Sequence, residues 1–599
     1  MCGIVGYVGF KTADKIIFDG LARMEYRGYD SVGVAYLDQD GLHRRRVVGG
    51  VKKLKQEMRG DINASSLMIG HTRWATHGKV SVVNAHPQMD TTKNVAVVHN
   101  GIIENYAKIK DDLIKKGVVF RSDTDTEVIP NLIYQELKNK NLSINNILVG
   151  IQKTCQTLRG SFALCILIKG IDKMFVAARF SPLMLSCSCQ GCMVASDTIG
   201  LSLRGKVFKI PDDTIAVVDK QGFNCYDLNL RHKQLTSLDV NQTFENTSPY
   251  PYNSFMEKEI NENSKAIENT IKTLTTNRVL ENLDDSIVHN VSKVVVCACG
   301  TALHAGRLFA SILEKSCGQI CVVDYASEFR YRQMPIDKHT VCLFISQSGE
   351  TADTLSCAEL AHKKGAYCVG MTNVPTSRLV SLVDCYIPTC AGAERAVAST
   401  KAFMAQMCAL YLLNLKFCEV FGKKAEYNST DLLKVPNVLK NKSIDEFLCA
   451  LVPKLANLEH LYVLGRGLDY VIAMEGALKI KEISYIHCES MPLGELKHGS
   501  LALFDSNTYA IVLMTQSSTF SKVLNNICEI QSRGAKVVVI TTLNVDIKAD
   551  YCLRLPPTID CLSVFEVTPV LQKLALLLAE SRNLNVDKPR NLAKSVTVE

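Results

Sequence analysis

The chain repeats itself, and the repeat decides the fold of its second half. Two stretches run through the same order of apolar strand, small-residue turn and helix. The first reads VVVCACGT, SEFRYR, LFISQSGET and GAYCVGMT; the second reads LYVLGRG, GELKHG, IVLMTQSST and GAKVVVITT. Gly300 lies 28 residues before Glu328 and Gly465 lies 30 before Glu495, while Ser346 to Gly365 and Thr515 to Gly534 are both 19. Strands alternating with helices at this spacing make a parallel sheet covered on both faces. The sequence therefore predicts a duplicated, doubly wound α/β domain, with copies at 285–430 and 450–590.

Residues 1–235 have another rhythm. Short β-like runs such as SVGVAYL, SLMIGHTRWATHG, NVAVVHNG and SFALCILIKG alternate with His, Asn and Gly turns, which predicts a sheet-rich domain. A polar stretch follows, TSLDVNQTFENTSPYPYNSF, and 236–284 reads as linker and lead-in helix. At 599 residues the chain is too long for one core, and 47% apolar with 21% charged residues is the balance of a soluble protein. The N-terminus lacks the pattern of a signal peptide. The apolar run MCALYLLNLKF (407–417) is broken by Asn414 and Lys416 and reads as a buried helix, so no membrane partner and a cytoplasmic location are expected.

The 23 cysteines are scattered, mostly in apolar runs, and are expected to be reduced, small and buried. CSCQGC (187–192) contains a C-x-x-C that would suit half a zinc site, but no second pair accompanies it. Gln-Gly between two strand-like runs reads instead as a hairpin turn, and no metal is expected. The net charge is +8. HRRR (43–46) reads as a solvated edge strand, not a nucleic-acid site. A thin positive balance suits small anionic substrates.

Three local patterns carry chemistry. In LFISQSGETADT a strand ends in Ser346, Gln347, Ser348, Gly349 and Thr351 before a helix. Hydroxyls and free N–H groups at a helix N-terminus hold an anion, and a turn without Arg or Lys suits a phosphate monoester. The second copy has TQSSTF, without the glycine, and is expected to have lost that role. In EGALKIKEIS, Glu475, Lys479 and Glu482 fall on one helical stripe. At the N-terminus, MCGIVGYVG places Cys2 beside a glycine. If Met1 is removed, Cys2 carries both a thiol and a free α-amine, which serves as the base for its own side chain.

SQSGET, the duplicated unit, EGALKIKEISYIH, GELKHG and NLAKSVTVE resemble the double sugar-isomerase (SIS) unit of the glucosamine-6-phosphate synthase family. MCGIVGYVG, EYRGYDS, HTRWATHG, NAHP, VVHNGIIEN and SDTDTE resemble that family's class II glutamine amidotransferase domain. The likeness runs from residue 2 to 599. It implies an Ntn-type αββα glutaminase domain (1–235), two SIS domains and a catalytic tail (591–599). The implied reaction is amination of fructose 6-phosphate by glutamine, without metal or organic cofactor, in a homodimer or homotetramer.

The resemblance also implies roles. Cys2 is the nucleophile, and Asn100 with the Gly101 backbone N–H forms the oxyanion hole. Arg73 clamps the glutamine carboxylate, Thr76 and His77 shape that pocket, Asp125 holds the ammonium group, and Arg27 and Gly28 lie near the nucleophile. Trp74, the chain's one tryptophan, gates the ammonia path. At the sugar site Glu482 moves the proton between C1 and C2, with Lys479 beside it. His498 opens the ring from a neighbouring subunit, and Lys594 forms a Schiff base as a neutral amine with a depressed pKa. Thr301, Ser346, Gln347, Ser348, Thr351, Val397 and Ala593 bind the sugar phosphate.

The pattern departs from the family at Ala302, where serine is usual, and at Ser500, where proline is usual. Loss of the hydroxyl at 302 predicts weaker sugar-phosphate affinity. The rival readings are another class II amidotransferase, which the duplicated unit opposes, and a non-catalytic sugar-phosphate sensor, which leaves Cys2, Asn100, Glu482 and Lys594 without a purpose.

Overall fold

Strand β1 (Gly3–Gly9) is buried along its whole length and shows how the N-terminal half is layered. Its side chains alternate at a period of two. Ile4 and Val8 join Ile69, Val98 and Val176 in one cluster, and Val5 and Tyr7 join Ile17, Leu21 and Val34 in another. The computed structural model describes residues 2–58, 65–75, 77–203, 205–238, 248–435 and 437–597. Of the segment read as linker and lead-in helix, 239–247 lie outside the described residues, and helices Phe255–Asn261 and Asn263–Thr276 follow. The chain divides into two units, 1–247 with 595–598, and 248–594.

In the first unit, β1 lies in an eight-stranded sheet, between Gly191–Ala195 and β2 (Leu67–Arg73). A seven-stranded sheet contains β3 (Val95–Ile103). The ladders in both are antiparallel. One apolar layer is formed by facing residues of the two sheets. Helix Ala13–Met24 packs on the far face of the first sheet; Val128–Leu137 and Ile144–Thr157 pack on the far face of the second. This is the expected αββα sandwich.

Two local expectations are corrected by the structure. The run CSCQGC does form a hairpin, but its register sets Cys187 opposite Cys192, and the two are joined in a disulfide. A cross-strand pair brings two thiols together that spacing alone does not announce. The HRRR run does lie on an edge strand, Gly41–Val48. Its arginines are not merely solvated, however. Arg46 Nη1 donates to the carbonyls of Val83 (2.9 Å) and Ala85 (2.8 Å), tying down a loop.

The second unit contains two five-stranded parallel sheets with one topology. The first copy includes β4 (Lys293–Ala298), α1 (Thr301–Cys317), β5 (Thr340–Ile345), α2 (Ala352–Lys363) and α3 (Lys401–Val420). The second includes β6 (His460–Leu464), α4 (Leu468–Ser484), β7 (Tyr509–Leu513), α5 (Phe520–Gln531) and α6 (Val564–Ser581). In each sheet the spatial order is second, first, third, fourth, fifth strand. Ligands in such folds sit where the strand order reverses. Here that is the crevice beyond the carboxyl ends of β4 and β5, and its counterpart beyond β6 and β7.

The structure corrects the register of the repeat. Gly300 enters α1 at φ +54 and Gly467 enters α4 at φ +58, so these two glycines correspond. Gly465 serves close packing instead, since a Cβ there would lie 2.4 Å from the Asp469 backbone. Counted from Gly467, the interval to Glu495 becomes 28 residues, as from Gly300 to Glu328. Both first helices have 17 residues.

Two helices, Lys401–Val420 and Asp560–Ser581, are long and apolar enough to span a bilayer. The run at 407–417 signalled only the first. Their apolar windows are 78% and 89% buried within the protein, as for core helices.

Candidate active sites

In the first unit, antiparallel pairing of Gly3 with Thr72 delivers Cys2 to the end of β2, next to Arg73 and Trp74. Only glycine fits at 3, since a Cβ would lie 2.7 Å from Thr72 Oγ1. The Trp74 backbone N–H points at Cys2 Sγ (3.3 Å), and Sγ lies 3.5 Å from the Trp74 carbonyl. Asn100 Nδ2 donates to the Cys2 carbonyl at 3.0 Å. Burial pushes the Cys2 thiol up, opposed by the positive N-terminus, the Trp74 N–H and Arg73. A cavity of about 30 Å³ is bounded by Cys2, Arg73, Trp74, Asn100, Gly101 and Asp125.

The remaining residues around it have definable roles. Gly101 has φ +127, and a Cβ there would sit 2.1 Å from the Ser161 carbonyl oxygen. Arg73 is 3% exposed; one Nη donates to the His77 carbonyl, while Nη1 has no partner among the described residues. Asp125 Oδ2 accepts from the Ile103 N–H (2.9 Å). Arg27 is ion-paired with Asp197, and Gly28 lets its backbone pass beside Arg73, where a Cβ would meet the Arg73 carbonyl carbon at 2.7 Å. Thr76 lies outside the described residues.

Sequence reasoning missed a buried histidine trio behind Asn100. His71 Nε2 is 3.0 Å from both Asn100 Oδ1 and the His99 carbonyl. His71 and His86 rings lie 4.4 Å apart, and His99 Nδ1 meets Thr126 Oγ1 at 2.8 Å. Burial drives all three to low proton affinity, His71 down to about 3. They are neutral groups; His71 and His99 hydrogen-bond, His86 packs against both rings, and His71 fixes which end of the Asn100 amide faces Cys2. Tandem His-Thr and His-Asn pairs were the only signal in the sequence.

In the second unit the predicted stripe closes into a buried network. Lys479 is 1% exposed; its Nζ lies 2.7 Å from Glu482, 3.4 Å from Glu475 and 3.0 Å from Thr301 Oγ1. Glu475 in turn bonds Thr301 (3.1 Å) and His304 Nδ1 (2.7 Å), a residue that sequence reasoning missed. Burial disfavours the Lys479 cation, but Glu475 and Glu482 outweigh it and raise the pKa. Glu482, with 22% of its side chain accessible, is the part of the network open to a substrate.

Thr301 begins α1 directly beyond β4, which pairs with β5. The turn at 346–351, predicted to hold a phosphate, leaves β5 beside it. Ser346 Oγ accepts from the Gly349 N–H (3.0 Å) and meets Thr351 Oγ1 (2.9 Å); Ser348 Oγ accepts from Glu350 N–H (3.2 Å). The Gln347 carbonyl accepts from Asn373 N–H at 3.1 Å. Gly349 has φ +63, and a Cβ would meet Ser377 Oγ at 2.1 Å. The Thr351 side chain does not cap α2, which leaves the helix entrance to another acceptor.

The matching turn of the second copy is already filled. Asp469 accepts from the Thr515 N–H (2.8 Å) and hydroxyl (2.5 Å), and Asp560 accepts from the Ser517 N–H (2.7 Å) and hydroxyl (2.6 Å). Asp469 stands two residues after Gly467, where the first copy has Ala302 two after Gly300. Burial lifts the Asp469 pKa to about 6, against the donors from Thr515.

Lys594 is 4% exposed and ion-paired with Glu394, which also accepts from the Thr400 N–H (2.9 Å) and Ala402 N–H (3.0 Å) at the start of α3. Burial raises Glu394, but Lys594 and these N–H groups outweigh it and leave it lowered. The Lys594 amine is thus engaged with a carboxylate in this structure rather than presented alone. Val397 is buried between them in sequence, its N–H bonded to the Asp587 carbonyl (3.1 Å); Ala593 is half-buried. His498 is exposed at the end of Leu493–His498 and makes no hydrogen bond to the Lys479 network among the described residues.

The two kinds of site coincide with two known domain families. The glutamine amidotransferase domain matches residues 71–201, and the SIS domain matches 287–416 and again 454–566. Curated relatives match from end to end. The glutamine–fructose-6-phosphate aminotransferase [isomerizing] of Caldanaerobacter subterraneus subsp. tengcongensis is 40% identical over 622 residues, covering 100% of both chains. That of Thermococcus kodakarensis is 38% identical over 609, again with 100% of both. Among solved structures, the C-terminal domain of glucosamine-fructose-6-phosphate aminotransferase from Francisella tularensis matches with a TM-score of 0.50 at 33% identity, covering 57% of this chain and 99% of that one. With both domain types in the relatives' order and similarity along the full length, the chain belongs to the glutamine–fructose-6-phosphate aminotransferase (isomerizing) family.

Proposed function

We propose that this chain converts fructose 6-phosphate and glutamine into glucosamine 6-phosphate and glutamate. The observation that carries the reading is the pairing, in one chain, of a buried Cys2 thiol set against Trp74 and Asn100 with a buried Lys479 ion-paired to the accessible Glu482 in a sugar-isomerase fold.

At Cys2, burial holds the proton on sulfur, so attack needs a base within reach. Removal of Met1 supplies it as the Cys2 α-amine, whose ordinary pKa is about 7.7–8.0. Sulfur adds to the glutamine side-chain amide, and the developing oxyanion takes hydrogen bonds from Asn100 Nδ2 and the Gly101 N–H. Ammonia leaves, and water then splits the thioester to free glutamate. Arg73 Nη1, without a partner among the described residues, suits the glutamine α-carboxylate, Asp125 its ammonium, and His77 borders the pocket. Arg27 braces the wall beside Cys2. Trp74, whose backbone N–H and carbonyl flank Sγ, gates the ammonia.

At the sugar site, Thr301, Ser346, Gln347, Ser348 and Thr351 receive the phosphate, with Val397 and Ala593 on the sugar. His498 of a neighbouring subunit opens the ring, so an oligomer, dimer or tetramer, is part of the reading. Lys594 leaves Glu394 to engage the C2 ketone as a Schiff base. Ammonia displaces that lysine at C2, and Glu482 takes a proton from C1 and returns it to C2. Lys479 holds Glu482 in place and neutralises its charge between transfers.

Product balance tests the reading. Purified protein with both substrates should yield glutamate and glucosamine 6-phosphate in equal amounts, with glutamate output dependent on the sugar. Cys2→Ala should abolish glutamine-dependent synthesis and spare isomerisation of the sugar. Glutamate formed without amino sugar sinks the synthase reading; synthesis from glutamine that survives Cys2→Ala sinks the nucleophile.

A further inference from the structure

A cavity of about 400 Å³ opens at the carboxyl end of the second sheet. Its walls include Gly467, Leu468, Gln516, Ser518 and Thr519 from the second copy and Ile312 and Lys315 from α1 of the first. The sugar site is built in the reverse sense: Thr301 and the Ser346 turn come from the first copy, and Lys479 and Glu482 from α4 of the second. Counting from Gly300 and Gly467, Leu468 corresponds to Thr301, Ile312 to Lys479 and Lys315 to Glu482. The cavity is therefore the counterpart of the sugar site under exchange of the two copies.

We propose that this cavity is a second, non-catalytic binding site for a small sugar phosphate. Its volume falls within the usual size for small-molecule sites, roughly 300–1,000 Å³. Where the sugar site has Glu482, this space has Lys315, and Lys424 also borders it together with one carboxylate, Glu426. Lys315 is ion-paired with Glu426 at 2.8 Å, but both side chains are more than half exposed, and such a pair yields readily to a phosphate. The ligand lies reversed relative to substrate. Asp469 and Asp560 already take the Thr515 and Ser517 donors, so the phosphate goes to the two lysines and the hydroxylated end to Ser518 and Thr519. No turnover occurs, because Ile312 stands where Lys479 assists proton transfer.

Binding stoichiometry tests the proposal, with glucosamine 6-phosphate titrated calorimetrically into the full-length protein. Two molecules should bind per chain. Lys315→Ala combined with Lys424→Ala should bind one, with kcat/KM at low substrate within twofold of the parent. Ser518→Trp, which fills the space without altering charge, should also remove one. Unchanged stoichiometry in either variant overturns the proposal, as does a single site in the parent that survives both. A single site that disappears with the lysines upholds this site and removes support for the catalytic-site assignment instead.

Discussion

The two sugar-isomerase copies share strand order, 17-residue first helices and a glycine of positive φ at the same entrance, yet the donors of their turns are engaged differently. In the first copy the turn from Ser346 to Thr351 leaves the α2 entrance without a cap from Thr351. In the second, Asp469 and Asp560 occupy the donors of Thr515 and Ser517. The lesson is that duplication preserved the scaffold while two carboxylates changed what the donors of the second turn meet.

The largest break is expected at the network that only one copy retains. Lys479→Met leaves Glu475 and Glu482 facing each other without their cation, and amino-sugar synthesis should fall about 10²–10⁴-fold, the usual range for loss of acid–base assistance. Restoration of the rate by Lys479→Arg would reduce the lysine to a generic positive charge.

Next is the turn itself. Gly349→Ala sets a Cβ 2.1 Å from Ser377 Oγ at φ +63. The KM for fructose 6-phosphate should rise at least about tenfold, while glutamine hydrolysis at Cys2 is unchanged. The matched Ser518→Gly in the second copy should leave that KM within twofold. Equal effects at the two positions would erase the distinction between the copies.

The filled turn has a pH signature. The folded-state pKa of Asp469 is about 6, against an ordinary 3.8. Between those values the folded protein holds a proton that the unfolded chain releases, so this group makes stability fall as pH rises from about 4 to 6. The full effect is about 3 kcal/mol, taking roughly 1.4 kcal/mol per unit. Asp469→Asn should flatten that part of the stability–pH curve in denaturant titrations at pH 4 and pH 7; an unaltered slope would mean the carboxyl does not titrate there.

The smallest effect expected is a gain. Ala302→Ser adds a hydroxyl beside the open turn and should lower the dissociation constant for fructose 6-phosphate about 2–10-fold, the worth of one net hydrogen bond. No gain would place residue 302 out of reach of the phosphate.

Much of this was legible in the sequence. The repeat showed in spacing because strands, turns and helix starts all recur, and the Glu475–Lys479–Glu482 stripe followed from helical periodicity. The position of Cys2 beside Gly3 only raised the question, and the nucleophile's role came with the family resemblance. The register error arose because LGRG offers two glycines, and only backbone conformation separates Gly467 from Gly465. His304 and Asp469 escaped notice because their partners, Glu475 and Thr515, lie 171 and 46 residues away. The Cys187–Cys192 bridge and the Arg46 loop contacts likewise depend on register and tertiary approach, which composition does not encode. Neutral His71, His86 and His99 are set by burial, which a sequence shows only indirectly.

Asp469 can also be viewed as a tethered ligand. A free phosphate ester stabilises its site in proportion to the logarithm of its concentration, whereas a carboxylate on the same chain has an effective concentration fixed by covalent linkage. The second turn is thus saturated whatever the cell contains, and the first, under the proposed function, follows the supply of metabolite. On that reading one turn of the duplicated unit behaves as a constant and the other as a gauge.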